Sequence, residues 1–181
     1  DTRILHLTGI TAALSDNCYA LLVEAIRSAH AAGVMVSFDV NYRTKLWSAS
    51  TAGEKLRPLI AEADLLLCKG ADAAALFGCQ GEPYQLMAEL KALTHAPAVF
   101  CTFGKQGAAL LSGDEFVTQP ALPVQIVDRL GSGDAFAAGV LDGWLSGDAS
   151  ANNMSALREG LRRGVALAAI ALSQYGDRVL T

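Results

Sequence analysis

The chain has 181 residues, 52% of them apolar and 18% charged, with a formal net charge of −4. That length holds one α/β domain with a real core, and the acidic balance lacks the general basic footprint of a nucleic-acid binder. No apolar run is long enough to span a bilayer and no basic-then-apolar leader opens the sequence, so the expected setting is the cytoplasm, without nucleic-acid or membrane partners.

Residues 4–7 read as a short apolar strand. A helix over 15–32 follows, with Ser15 or Asp16 as its cap and Gly33 as its terminator. A second strand is predicted over 34–38, then a polar loop over 39–50, a helix over 54–63, a buried strand over 65–68 and a short helix over 71–77. The pattern continues with a helix over 84–93 and a strand over 98–102. The turn from Gly104 to Gly107 then leads into a strand over 108–111, read as an antiparallel hairpin partner. Short strands over 116–118 and 124–127 precede two closing helices, one opening near Gly133 and one spanning about 155–173.

Strands alternating with helices imply an α/β fold with a mostly parallel sheet and helices on both faces. The polar segments 8–11, 39–43, 69–72, 102–107 and 128–134 each follow a predicted strand. Such segments gather at the carboxyl edge of an open sheet, where ligands bind.

The last of these segments carries the strongest chemistry. Gly131 and Gly133 let a backbone approach a ligand without Cβ clashes, and the helix behind them aims unpaired N–H groups and a positive dipole end at the same spot. Asp134, at the join, is placed to take a proton from an alcohol whose oxygen attacks phosphorus. The plainer alternative is an acid favoured by the helix dipole. No Gly-x-x-x-x-Gly-Lys-Ser/Thr run exists, which excludes a P-loop kinase.

Cys18, Cys68, Cys79 and Cys101 form no Cys-x-x-Cys pair and read as reduced thiols. His6, His30 and His95 are scattered, without metal-ligand spacing. Arg158, Arg162 and Arg163 cluster on one helix and read as a solvated face.

Residues 128–141, Asp-Arg-Leu-Gly-Ser-Gly-Asp-Ala-Phe-Ala-Ala-Gly-Val-Leu, resemble the C-terminal signature of the ribokinase-like carbohydrate kinases, the PfkB family. Residues 38–47, Phe-Asp-Val-Asn-Tyr-Arg-Thr-Lys-Leu-Trp, are similar to the Asp-x-Asn-x-Arg-x-x-Leu-Trp loop of the branch holding 2-keto-3-deoxygluconate kinases and fructokinases. Residues 102–111 resemble the family's nucleotide-side Gly-x-x-Gly turn.

The resemblance implies a ribokinase-like three-layer αβα fold and transfer of the γ-phosphoryl group of ATP to a hydroxyl of 2-keto-3-deoxygluconate, with Mg2+ as the metal. Asp134 would be the general base, and Gly131, Ser132 and Gly133 the anion hole. Arg43 would contact the sugar acid's carboxylate or the moving phosphate, with Asn41 and Tyr42 in the same site. Asn41, Arg43 and Lys69 would also meet ATP. Thr102, Gly104, Lys105, Gln106, Gly107, Ala108 and Ala109 would lie along the nucleotide, with residues 166–169 walling the adenine. Each has an alternative: Asp39 and Arg43 as loop ties, Trp47 as a packing anchor and 104–107 as an ordinary turn.

Two departures stand out. The family's Asn-x-x-Glu element, tied to metal and phosphate, is replaced by Lys69 and Asp72, so Asp72 is left an indirect metal role. The family's N-terminal portion, with a Gly-Gly sugar element and a β lid, has no counterpart here, and Asp1 is not an initiator. Residues 1–181 are therefore expected to be the C-terminal nucleotide-binding and catalytic portion of a single domain. Alone, that portion should be poorly stable and inactive; at full length it should be a homo-oligomer. A fructokinase or other family sugar kinase is one alternative, and a non-catalytic nucleotide- or sugar-binding module another.

Overall fold

The structure is a computed structural model that describes residues 2–147 and 153–176. The chain ends at Asp1 and Thr181 lie outside them. Six strands follow one another in chain order across a mixed sheet: β1 (Ile4–Thr8), β2 (Met35–Asp39), β3 (Leu65–Lys69), β4 (Ala98–Thr102), β5 (Ala108–Ser112) and β6 (Glu115–Gln119). The chain forms two compact units, Asp1–Cys101 and Thr102–Thr181.

In the first unit β1, β2 and β3 are parallel, with Thr8 opposite Asp39 and Asp39 opposite Leu67. Their carboxyl ends therefore share one edge. Leu65, Leu66, Leu67 and Cys68 of β3 are all buried, as an unbroken apolar run should be when a parallel strand is covered on both faces. Phe38, Leu56, Ile60 and Leu66 are fully enclosed, each stabilising the fold by about 1.5–3 kcal/mol relative to exposure.

Local sequence sets the helices. α2 (Asp16–Ala31) starts at Ser15, whose hydroxyl accepts the Cys18 N–H at 3.1 Å, and Gly33 follows it at φ +68°. α4 (Gly70–Phe77) stops at Gly78, which is left-handed, and α5 (Pro83–Lys91) opens on a proline, tolerated at a first position.

In the first unit two elements differ from the sequence expectation. The segment 8–11 is not a polar turn but the start of α1 (Gly9–Leu14), capped by Thr8, whose hydroxyl accepts the Ile10 N–H at 3.3 Å. Gly9 makes this possible, because a Cβ there would stand 2.2 Å from the Val40 carbonyl oxygen. α3 (Ala49–Ala61) begins well before residue 54: the Ser48 hydroxyl accepts the Thr51 N–H at 3.1 Å. Ser50 reads as the last loop residue but lies with Thr51 on the exposed face of the helix, while Ala52 and Gly53 are buried.

In the second unit a 3₁₀ turn, Gly104–Gln106, leads into β5, which pairs antiparallel with β6 from Ala108 opposite Gln119 to Ser112 opposite Glu115. α6 (Ser132–Leu145) and α7 (Met154–Leu172) pack on each other. The expected strand over 124–127 does not form. Val124, Ile126 and Val127 stay exposed, and the Val127 N–H donates to the Leu172 carbonyl at 2.8 Å, at the end of α7. An alternating apolar pattern yields a strand only beside a partner strand. Here the backbone finds a helix-end carbonyl instead, so segment 128–134 follows irregular chain.

Candidate active site

In the first unit three successive backbone donors fix the turn after β2. The Val40 N–H donates to the Leu67 carbonyl (3.0 Å), the Asn41 N–H to Asp39 Oδ1 (3.0 Å), and the Tyr42 N–H to the Asp72 carboxylate. Asn41 is buried and left-handed, at φ +39°, a conformation Asn tolerates better than most side chains. The Tyr42 hydroxyl donates to the Trp47 carbonyl at 3.3 Å and closes the loop. Arg43 leaves this turn exposed.

Asp72, in the first turn of α4, has a buried Oδ2 without a hydrogen-bond partner. Burial pushes its carboxyl above the ordinary value of 3.8, opposed by the Lys69 ammonium, the Tyr42 N–H and the Arg43 guanidinium. Burial also drives the Cys68 thiol far up, helped by neighbouring Cys101, Asp72 and Asp39, so Cys68 stays protonated and inert. Lys69 and Arg43 beside Asp72 repel a divalent cation. Among the described residues no three His, Cys, Asp or Glu are grouped to hold a metal. The residues here therefore do not fit a metal ion bound directly to protein.

In the second unit Asp128 organises the helix start. Its Oδ1 accepts the N–H groups of Arg129 (2.6 Å) and Leu130 (3.1 Å), and its Oδ2 accepts that of Gly176 (3.2 Å). The Leu130, Gly176 and Arg129 donors hold its carboxyl below the usual range. Sequence reasoning gave Asp128 no role, because its Gly176 partner lies beyond α7. Gly131 caps α6 at φ +73°, and its carbonyl takes the first helical bond, from the Ala135 N–H at 2.8 Å. The N–H groups of Ser132 and Gly133 thus belong to the first turn, where no helical carbonyl lies four residues back. The Ser132 hydroxyl donates to the Arg129 carbonyl at 3.2 Å. Asp134 is exposed in this first turn. A Cβ at Gly133 would meet nothing within 4 Å.

The glycines of the turn over 104–107 have a fold reason of their own. Gly107 is at φ +99°, and a Cβ there would stand 2.1 Å from the Gln119 carbonyl oxygen. Lys105 and Gln106 are exposed, Thr102 is half-buried, and Ala108 and Ala109 are core side chains of β5. Of residues 166–169 in α7, Ala169 is buried and the others half-buried. The arginines of α7 are ion-paired: Arg158 with Glu115, Arg162 with Glu159, and Arg163 with Asp142 and Glu159. No helix among the described residues is long and apolar enough to cross a membrane.

In the first unit the parallel strands β1, β2 and β3, with their polar turns at one carboxyl edge, define an open-sheet α/β protein. The family description "pfkB family carbohydrate kinase" matches residues 1–180, and the chain belongs to that family. A 2-dehydro-3-deoxygalactonokinase of Haloferax volcanii is 31% identical over 98% of this chain and 54% of its own length. Fructokinase-2 of Zea mays is 30% identical over 96% of this chain and 52% of its own. The 2-dehydro-3-deoxygluconokinase structure from Thermotoga maritima superposes with a TM-score of 0.85 at 24% identity, covering 98% of this chain and 56% of that one, a likeness of fold. The chain thus spans about half the length of the relatives it matches.

Proposed function

We propose that the full-length protein is a sugar kinase, transferring the γ-phosphoryl group of ATP to a hydroxyl of a 2-keto-3-deoxy sugar acid, 2-keto-3-deoxygluconate foremost. The start of α6 carries this reading: a left-handed Gly131, open space at Gly133 and an acid in the first turn. Asp134 takes the proton of the sugar hydroxyl, whose oxygen attacks the γ-phosphorus as ADP leaves. The N–H groups of Ser132 and Gly133, with the dipole of α6, stabilise negative charge on the transferring group. Arg43, exposed on a fixed turn, pairs with the sugar carboxylate. The Gly104–Gly107 turn lies along ATP, and the Lys69 ammonium offers a cation to phosphate. Magnesium would come on the phosphates of ATP.

The test is ADP release by the full-length protein with 2-keto-3-deoxygluconate, fructose and ribose under identical magnesium. A strong preference for the keto acid supports the reading, and preference for fructose, the substrate that the 30%-identical maize relative is named for, replaces the substrate but keeps the chemistry. Silence with all three, with ATP still bound, favours a non-catalytic module. Asp134→Asn should cut turnover by about two to four orders of magnitude while ATP binding survives. An unchanged rate removes Asp134 from the role of base.

A further inference from the structure

The turn that presents Arg43 is held by two acids from different elements. Asp39, at the end of β2, takes the Asn41 N–H two residues on, a contact its own segment supplies. Asp72, in the first turn of α4, takes the Tyr42 N–H from another element, and its charge attracts the Arg43 guanidinium at the next residue. We infer that Asp72 is a positioning residue that fixes the Asn41–Arg43 turn and thereby aims Arg43 at the acid group of the substrate. This rests on the reading of Arg43 as the sugar-acid contact.

A merely structural tie would not need this chemistry. One neutral acceptor satisfies one N–H, whereas here a carboxylate is kept with its other oxygen buried and unpartnered, an arrangement that costs folding free energy. The carboxylate supplies what a neutral acceptor cannot, a fixed negative charge that acts on Lys69 and, more weakly, on Arg43 from the point where the backbone is held. A metal role fits worse, because Lys69 and Arg43 both bring positive charge to the same carboxylate. The Tyr42 hydroxyl bond to the Trp47 carbonyl then carries the fixed turn along the loop.

The full-length protein tests this with kinetics and amide hydrogen exchange. Asp72→Ala should raise KM for 2-keto-3-deoxygluconate by about tenfold or more, with kcat and the magnesium concentration for half-maximal rate within about twofold of wild type. Asp72→Asn keeps an oxygen acceptor for the Tyr42 N–H but loses the charge, and should recover only part of that KM. Exchange at the Tyr42 amide needs no substrate: it should quicken in Asp72→Ala and stay near wild type in Asp72→Asn. Should Asp72→Ala fail to fold, Asp72→Ser takes its place with the same expectations. A raised magnesium requirement with unchanged sugar KM overturns the assignment, and so does unchanged Tyr42 exchange in the alanine or serine variant. If the wild type prefers fructose, the sugar-acid reading fails on its own, and Tyr42 exchange still decides whether Asp72 holds the turn.

Discussion

At Gly133 the fold itself asks for no glycine. Its φ is not left-handed, and a Cβ would meet no protein atom within 4 Å. Gly131 is different, since φ +73° is strained for any residue with a Cβ. Alanine at 133 should therefore leave unfolding stability unchanged or raise it by about 0.5–1 kcal/mol, the usual gain over glycine in a helix. If a phosphoryl group is received there, the added methyl intrudes on it, and turnover by the full-length protein should fall by about tenfold or more. Thermal unfolding and ADP release on one preparation separate the two effects. Full activity with unchanged stability would mean that no ligand approaches this backbone.

At the scale of elements, the pair α6 and α7 rests on four glycines. A Cβ on Gly139 would stand 2.6 Å from the Arg163 carbonyl oxygen, and one on Gly143 2.6 Å from the Gly160 Cα. One on Gly160 would stand 2.7 Å from the Val140 carbonyl oxygen, and one on Gly164 2.9 Å from the Phe136 ring. The obstacles at Gly139, Gly143 and Gly160 are backbone, which cannot swing aside. Gly143→Ala should accordingly destabilise the protein by about 1–3 kcal/mol despite alanine's better helix propensity, read as a lowered urea midpoint. A midpoint equal to wild type would show that the helices are free to separate at this crossing. The spacing Gly-x-x-x-Gly stands in the sequence on both helices, but their mutual contact is not visible there. The same limit separates what was legible from what was not. β3 and β4 were plain because an apolar run is a local signal. The strand over 124–127 was wrong because pairing is not local, and α1 was missed because its fit depends on Gly9 meeting Val40. The loop at 128–134 was legible as a motif, yet the grip of Asp128 on Gly176 and of Asp72 on Tyr42 needed the folded chain.

At the scale of the molecule, the carboxylates that the fold displaces from their ordinary values, among the described residues, pull stability in opposite directions with pH. Arg162 first, then Arg163, hold Glu159 at about 2, against an ordinary 4.5. Glu24, through Arg27, and Asp128, through its backbone donors, are also lowered. A depressed acid contributes stability that is present above its unfolded value and lost as pH falls toward its folded value. Asp72 is raised, chiefly by burial, so between its ordinary 3.8 and its folded value the native state binds the extra proton. Acidification through that window therefore favours folding before the other carboxylates oppose it. The unfolding midpoint should rise slightly as pH falls through the raised value of Asp72 and drop once pH falls below the ordinary 4.5 of Glu159. The two limbs respond differently to intervention. The Glu159 pairs are open to solvent, with side-chain accessibility of 62% at Arg162 and 33% at Glu159, so about 0.5 M salt should flatten part of the acid fall. Asp72→Asn should abolish the rise, because the group that takes up the proton is gone. Midpoints measured from pH 3 to 8 in wild type and Asp72→Asn decide it, and a rise that persists in the variant would place the proton on another residue.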